Sequence, residues 1–178
     1  DPACFRARAA ELSFVASLSV RDAVRALLPA GAPPVTCKWP NDVLIDRRKV
    51  AGLLLEAEGR SPYVVIGIGI NVTAAPDGVE SPATALSAHG ATADADQCFA
   101  VLAERFEHWL HIWRQDGFAA IRLAWRETAS GLGETIRVRL ETREFRGVFR
   151  DLDPTGALLV TCEDGHTETV AAGDVFLL

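Results

Sequence analysis

Three short turn signals divide the stretch from Val35 to Val72 into four apolar segments, and this constrains the fold more than any other feature of the chain. Val35 to Trp39 reads as a strand that must stop or bend at Pro40, which has no N–H to give to a ladder. Asn41 and Asp42 suit a turn, because their short side chains bond nearby backbone. Val43 to Ile45 is the next segment, Asp46-Arg47-Arg48 a polar turn, and Lys49 to Glu56 a third strand. Gly59 to Pro62 then turns the chain into Tyr63 to Val72, which is rich in β-branched residues. Turns this short join antiparallel neighbours. In the third strand Leu53 and Leu55 take one face and Leu54 the other, so both faces are expected to be covered. In the fourth, Gly67 and Gly69 share one face, with Ile66, Ile68 and Ile70 on the other.

Helical periodicity flanks this stretch. Leu12, Val15, Ala16, Val20, Ala23, Val24 and Leu27 form one apolar stripe over about Arg8 to Leu28. Ser13, Ser17 and Ser19 are small enough for close packing on a sheet, and the prolines from Pro29 to Pro34 end the helix. Thr73 to Ser81 reads as a surface loop and Thr84 to His89 as a short helical turn. A second helix, capped by Asp94 or Asp96, presents Phe99, Leu102, Phe106, Trp109, Leu110 and Trp113 and ends near Gly117. A third covers about Phe118 to Ala129. Beyond Gly131 to Gly133 the pattern changes to five short strands with turns at Asp153-Pro154-Thr155-Gly156 and Glu163-Asp164-Gly165. That density of strands predicts a small barrel or curled sheet packed against the rest.

Composition excludes several classes of function. A chain of 178 residues holds one substantial domain, or one domain and a small appendage. Its net charge of −6 is a poor match to a nucleic-acid backbone binder, but leaves room for a local basic pocket. No apolar run approaches the roughly 20 residues of a membrane span, and no signal-peptide pattern opens the chain. Cys4, Cys37, Cys98 and Cys162 are scattered without metal-ligand spacing and read as thiols of a reducing compartment, so a soluble cytoplasmic protein is expected. The start at Asp1-Pro2-Ala3-Cys4, with no methionine anywhere, reads as a piece of a longer protein or a chain whose beginning was not recorded.

The chemistry concentrates in the central stretch. Lys38 and Lys49 are its only lysines; every other basic side chain is arginine. A compact ammonium with rotatable donors differs from a planar fork. Lys49 reads either as an exposed residue ending a turn or as an ammonium aimed into a pocket, with Gly52 leaving room beside it. Gly67-Ile68-Gly69-Ile70-Asn71 lacks the third glycine and the following helix of a dinucleotide fingerprint. Its glycines instead mark a strand approached closely, by a neighbour or by a ligand. His108 and His111 lack acidic partners in a matching row, and His89 and His166 read as surface residues. Neither Ser/His/Asp catalysis nor a metal cage finds support.

Lys38-Trp39-Pro40-Asn41-Asp42, then Lys49-Val50-Ala51-Gly52-Leu53-Leu54-Leu55-Glu56, then Gly67-Ile68-Gly69-Ile70-Asn71, in this order and at this spacing, resembles the biotin protein ligase family. The Thr84 loop, the Trp-rich helix and the C-terminal strands ending in Gly173-Asp174-Val175 are also similar to it. The resemblance implies an α/β (α+β) fold, a mixed β-sheet packed by helices and like that of the class II aminoacyl-tRNA synthetases, over residues 1–131. Residues 132–178 would form a small SH3-like β-barrel. It implies a ligase that makes biotinyl-AMP from biotin and ATP and passes biotin to a lysine of a biotin carboxyl carrier protein, as in acetyl-CoA carboxylase.

By the same resemblance Lys49 lies between the biotin carboxylate and the α-phosphate, and Gly52, Leu54 and Gly67 line the biotin pocket. Asp42 serves the phosphate side, through Mg2+ or by holding the attacking lysine of the carrier. Asn41 and Asn71 belong to the adenylate side, Asn71 offering its amide to phosphate or metal-bound water. Lys38 adds positive potential there or packs its stem. Two other readings stay open: a ligase for lipoate or octanoate, and a biotin-responsive repressor whose DNA-binding part lies elsewhere. No membrane partner is expected, nor a nucleic acid for the part present, whereas pairing of exposed strand edges allows a homodimer. Family members carry a Gly-Arg-rich loop and an earlier Ser/Thr-bearing strand upstream of the first helix. No Gly-Arg-Gly run occurs in these residues, so the chain alone is expected to bind adenylate weakly or not at all.

Overall fold

The computed structural model describes residues 8–56 and 63–178. The expected turn from Gly59 to Pro62 lies outside the described residues. Helix α1 (Ala9–Leu27) leads into a four-stranded sheet of β1 (Val35–Lys38), β2 (Asp42–Ile45), β3 (Arg48–Glu56) and β4 (Val65–Ile70), ordered β1-β2-β3-β4. A 3-10 turn (Ser87–His89) precedes α2 (Ala95–Asp116) and α3 (Phe118–Glu127). The chain ends in a second sheet: β5 (Thr135–Arg139), β6 (Glu144–Leu152), β7 (Leu158–Cys162), β8 (Thr167–Val170) and β9 (Asp174–Leu177), ordered β8-β7-β6-β5-β9. Every pair within both sheets is antiparallel, as the short turns require. Among the described residues, the mixed character of the expected sheet is confined to two isolated parallel bridges, Cys37 to Ala129 and Lys49 to Ala83. No helix among the described residues is long and apolar enough to cross a membrane.

Helix α1 is buried on more than the one stripe its periodicity suggests. Leu12, Phe14, Val15 and Leu18 join a core with α2, α3 and the second sheet. Ala16, Val20 and Val24 join another under the first sheet. The helix is thus a shared wall, and each large side chain fully buried along it contributes about 1.5–3 kcal/mol. Its buried hydroxyls are satisfied within the helix: Ser17 donates to the Ser13 carbonyl at 2.8 Å and Ser19 to that of Val15 at 2.7 Å.

Asp94 rather than Asp96 caps α2. It accepts from the Gln97 N–H at 2.8 Å while the Gln97 side chain accepts from the Asp94 N–H at 3.0 Å, a reciprocal capping box. Of the expected stripe of α2, Leu102, Phe106, Trp109, Leu110 and Trp113 pack on the core, joined by Cys98, while Phe99 is exposed.

The two sheets are tied together at the β1–β2 turn. The Trp39 indole N–H donates to the Gly156 carbonyl at 3.1 Å, and the Lys38 ammonium donates to that of Val175 at 3.1 Å. Gly156 sits at φ +90°, and a Cβ there would lie 2.7 Å from Cε2 of Phe14, so only glycine fits this turn. Between β2 and β3 the chain reverses through Asp46 and Arg47, both at positive φ (49° and 61°). That left-handed pair matches the twist of a two-residue hairpin. The Arg47 side chain is held by Glu134 at 2.9 Å.

Candidate functional site

One row of cross-strand partners organises the site. Lys38 on β1 faces Asp42 on β2, Asp42 faces Gly52 on β3, and Gly52 faces Gly69 on β4. Residues directly opposite share a face of the sheet, so the row grades from a cation through an anion to two bare backbones. Leu54 and Gly67 are the next pair along that face.

Strict alternation would place Lys49 on the core side with Ala51 and Leu53, away from Gly52. It does not point there, because β3 carries one extra residue. Val43 pairs with Ala51 while Leu44 pairs with Lys49, leaving Val50 as the bulge. Val50 and Ala51 both turn into the core. The bulge re-aims Lys49 across the sheet onto the Gly52 side. The ammonium then lies 2.5 Å from Asp42 Oδ1. A Cβ on Gly52 would come within 2.9 Å of Nζ and 3.0 Å of Cε, so the glycine does leave the lysine its room.

Asp42 is the hub. Its other oxygen, Oδ2, meets the Lys38 ammonium at 2.8 Å, so both lysines of the chain converge on one carboxylate. The Lys38 and Asp42 side chains are each only 10% exposed, whereas that of Lys49 is 40% exposed. Lys38 and Asp42 form the fixed part of the trio and Lys49 its open end. The sequence left Lys38 between added potential and a packed stem; it is a buried cation tied to Asp42 and to Val175.

The backbone of Lys49 is clamped by the chain returning from the loop after β4. Its N–H donates to the Pro82 carbonyl at 2.7 Å, and its carbonyl accepts from Thr84 at 2.9 Å. Asn71 holds that return in place. Its N–H donates to Val50, its carbonyl accepts from Leu86, and its side-chain amide donates to the Thr84 carbonyl at 3.0 Å. The Asn41 amide likewise donates to the Leu53 carbonyl at 2.6 Å. The Asn71 NH2 spends both its donors on backbone, on Thr84 and at 3.5 Å on Lys49, and offers Oδ1 to a ligand, whereas Asn41 keeps a second N–H as well as Oδ1.

The face that carries Gly52, Leu54, Gly67 and Gly69 is open, contrary to the expectation that both faces of β3 are covered. Leu54 is 60% exposed, while Leu53 on the other face is buried under α1. The reason is that glycines at 52, 67 and 69 present no side chains on which a layer could pack. A cleft of about 300 Å³ lies over Lys49, Ala51, Gly52, Gly69 and Asn71, walled by Pro76 and Val79 of the following loop. It suits an apolar ligand with one anionic end directed at Lys49. Leu54 and Gly67 lie farther along the same face. On the other side of Lys49, two further clefts of about 370 and 270 Å³ separate the row from β5 and β9.

The donor set does not by itself make a magnesium cage. Asp42 is the one carboxylate of the row, and each of its oxygens already meets an ammonium. Magnesium takes near-octahedral oxygen ligands and draws many of them from substrate phosphates, so Asp42 would hold it only together with a bound nucleotide.

Sequence reasoning missed the residues facing the trio from elsewhere. Glu80, on the loop after β4, is gripped by Arg139 through two bonds of 2.9 and 3.1 Å, and Arg137 and Arg139 lie over the ring of Phe176. Nothing local to these positions signals a site. Away from it, Cys162, His166 and Glu168 bring a thiol, an imidazole and a carboxylate within 4.8 Å of one another on the β7–β8 hairpin, a grouping their spacing did not suggest. Burial pushes the Cys37 thiol up to about 12, as fits a core residue without chemistry.

Comparison with known proteins gives the family and the fold. Residues 1–127 match the model of the Biotin/lipoate A/B protein ligase family, and residues 131–178 that of the Biotin protein ligase C terminal domain. The chain is 39% identical to a Biotin--[acetyl-CoA-carboxylase] ligase of Paracoccus denitrificans, over 94% of this chain and 73% of that protein. It is 37% identical to a protein of the same name from Mycobacterium tuberculosis, but spans only 61% of that relative's length. Among solved structures, the biotin protein ligase from Aquifex aeolicus in complex with biotin and ATP superposes with a TM-score of 0.79 at 26% identity, over 94% of this chain and 70% of that one.

Proposed function

The chain belongs to the biotin protein ligase family, and on that premise we propose that it joins biotin to ATP and then hands the biotinyl group to a lysine of a biotin carboxyl carrier protein. In the first step a carboxylate oxygen of biotin attacks the α-phosphorus. The bond from that phosphorus to the bridging oxygen breaks, and pyrophosphate leaves with the electron pair. In the second, the neutral amine of the carrier lysine attacks the acyl carbon, AMP leaves, and the nitrogen loses a proton.

The obstacle in the first step is the approach of two anions. The observation that carries the reading is the Lys49 ammonium, held 2.5 Å from Asp42 and overhanging Gly52 at the mouth of the glycine-lined cleft. Biotin would lie along Gly52, Gly67, Gly69 and Leu54, with its carboxylate at Lys49. The nucleotide's α-phosphate would approach the same ammonium from the Asp42 side. Preorganised charge of this kind costs no reorganisation as charge develops at phosphorus. Asp42 acts as a positioning residue, since both its oxygens hold lysines. Asn71 would accept through Oδ1 from a hydroxyl or amino group of the adenylate, and Asn41 would also donate to it through its second N–H. A division near residue 131, with a C-terminal SH3-like unit backing the site, belongs to the same proposal.

Biotin-dependent exchange of labelled pyrophosphate into ATP tests it in the full-length protein. Lys49→Ala leaves Asp42 paired with Lys38, so the fold should survive while exchange falls by about 10²–10³-fold, the loss typical of one charge-stabilising donor. Exchange at the wild-type rate would sink the proposal. Calorimetry should give heat of binding with biotin and none with lipoate or octanoate; the reverse result would favour the lipoate branch of the family.

A further inference from the structure

At the far end of the second sheet, one group of side chains offers three different kinds of metal donor. The Cys162 thiol, a ring nitrogen of His166 and a carboxylate oxygen of Glu168 all lie within 4.8 Å of one another. The β7–β8 hairpin brings them together. Thr161 pairs with Thr167 and Val160 with Glu168, and the Cys162 N–H donates to the His166 carbonyl at 2.9 Å. Cys162 thus stands opposite His166, with Glu168 two positions along on the same face. Leu158, Val160 and Val170, all buried, share that face farther along the hairpin. The three donors therefore occupy positions where alternation calls for apolar side chains.

Their orientation is set by neighbours. Asp164 accepts from Nδ1 of His166 at 2.5 Å and from the His166 backbone N–H at 3.2 Å. With the Nδ1 proton given to Asp164, Nε2 keeps its lone pair, and it faces Oε2 of Glu168 at 3.9 Å. A carboxylate behind the imidazole is what fixes the tautomer and ring orientation of metal-binding histidines. Arg143 holds Oε1 of Glu168, which leaves Oε2 turned to the imidazole.

We propose that this hairpin end binds a borderline-soft divalent cation of the zinc type through Cys162 Sγ, His166 Nε2 and Glu168 Oε2, with solvent in the fourth position. The proposal is independent of the adenylation reading. Donor chemistry sets the class of ion: thiolate and imidazole suit zinc, whereas magnesium and calcium take oxygen ligands. On binding, a sulfur–metal bond replaces the S–H bond and the thiol proton passes to solvent. The thiolate, Glu168 and Asp164 then outweigh the single positive charge of Arg143. Around tetrahedral zinc such donors stand roughly 3.3–3.6 Å apart. The gap between His166 and Glu168 is 3.9 Å, so small side-chain rotations close the site. Cys162 ends β7, while Glu168 lies on β8, the outer strand of the sheet. The ion would staple that edge strand to its neighbour.

The test is titration of the reduced full-length protein with Co2+, whose sulfur-to-metal charge-transfer band reports thiolate ligation, followed by competition with Zn2+. The band should saturate at one Co2+ per chain, disappear on adding Zn2+ and persist on adding Mg2+. Cys162→Ser should abolish it and Cys4→Ser should leave it; Cys37 and Cys98 are buried. Asp164→Asn should keep the band but weaken Co2+ binding by about 10–100-fold, the usual cost of losing the partner that orients a ligating histidine. A urea melt of metal-free Cys162→Ser that matches the wild type shows that the lost band reports the ligand and not the fold. Where the melts differ, Asp164→Asn decides alone. A wild-type protein with no saturable band overturns the proposal, as does a band of undiminished size in Cys162→Ser or wild-type affinity in Asp164→Asn. Each of these results leaves adenylation untouched.

Discussion

Replacing Gly52 by alanine should separate activity from stability. An added Cβ would lie 2.9 Å from Lys49 Nζ, 3.0 Å from its Cε and 3.6 Å from Asp42 Oδ1. To regain an ordinary contact distance the ammonium must retreat by roughly 0.6–1 Å. It can do so, being the free end of a flexible side chain that is 40% exposed. The fold should therefore lose little. The disturbed surface ion pair is worth at most about 1 kcal/mol, and the smaller entropy of an unfolded alanine returns about 0.4–1 kcal/mol. The proposed reaction should lose much, because misplacing a group that positions the reactants by about 1 Å commonly costs on the order of 10²-fold. Urea melts read the first quantity and kcat/KM in biotin-dependent pyrophosphate exchange the second. Gly69→Ala is the partner experiment. Its Cβ would meet nothing nearer than the Gly52 carbonyl at 3.9 Å, so any loss there registers the ligand rather than the scaffold. The KM for biotin should rise by about tenfold, the cost of a misplaced methyl in a fitted pocket, with Lys49 undisturbed. Near-wild-type exchange by Gly52→Ala would refute the placement of the ammonium, and an unchanged biotin KM in Gly69→Ala would refute that of biotin.

Other consequences concern the scaffold. Gly156→Ala forces a side chain into φ +90° and to 2.7 Å from Phe14, so strain and overpacking together should cost about 2–4 kcal/mol in equilibrium unfolding. Burial raises the Asp153 carboxyl, but hydrogen bonds from Thr155, Ala157 and Gly156 outweigh it and hold the group below its usual 3.8. A depressed folded value means the stabilisation is complete above the unfolded value and fades as pH falls through the lower, folded one. Melting temperatures followed from about pH 6 to about pH 2.5 should fall less steeply in Asp153→Asn than in the wild type. Cys37, fully buried and raised to about 12, should resist iodoacetamide in the native protein and react only after denaturation, as read by peptide mass mapping.

Much of the fold was legible because its signals are local. Pro40, the Asp46-Arg47-Arg48 turn, the cap at Asp94 or Asp96 and the Asp153 turn each act within a few residues, and the elements begin and end close to them. The glycine face of β4 was legible for the same reason, since alternation needs only a period of two. What failed needed information from another strand. Nothing in Lys49-Val50-Ala51-Gly52 announces that Val50 is an extra residue, yet that bulge alone brings Lys49 over Gly52. The exposure of Leu54 depends on what does not pack above it, which a run of leucines cannot reveal. The Glu80–Arg139 pair spans 59 positions and the Lys38–Val175 bond 137, and each partner by itself is an ordinary charged or backbone group.

The long-range bond from Lys38 bears on what the second sheet is for. Taking an ammonium and a carboxylate out of water costs several kcal/mol per ion unless further bonds satisfy them. The Lys38–Asp42 pair is 10% exposed on both sides, and Lys38 finds its further acceptor in β9 through the Val175 carbonyl. Trp39, one residue on, is fixed to the turn before β7 by its bond to Gly156. The buried half of the ion trio is therefore completed by the C-terminal sheet, and only the Lys49 half faces ligand space. An anchor of this kind lets Asp42 hold Lys49 at 2.5 Å without moving when charge develops nearby. Loosening β9 would leave the first sheet folded around its own core and still disturb the position of the Lys49 ammonium. The second sheet thus acts as the rigid back of the site, on the same footing as the strands that carry the lysines.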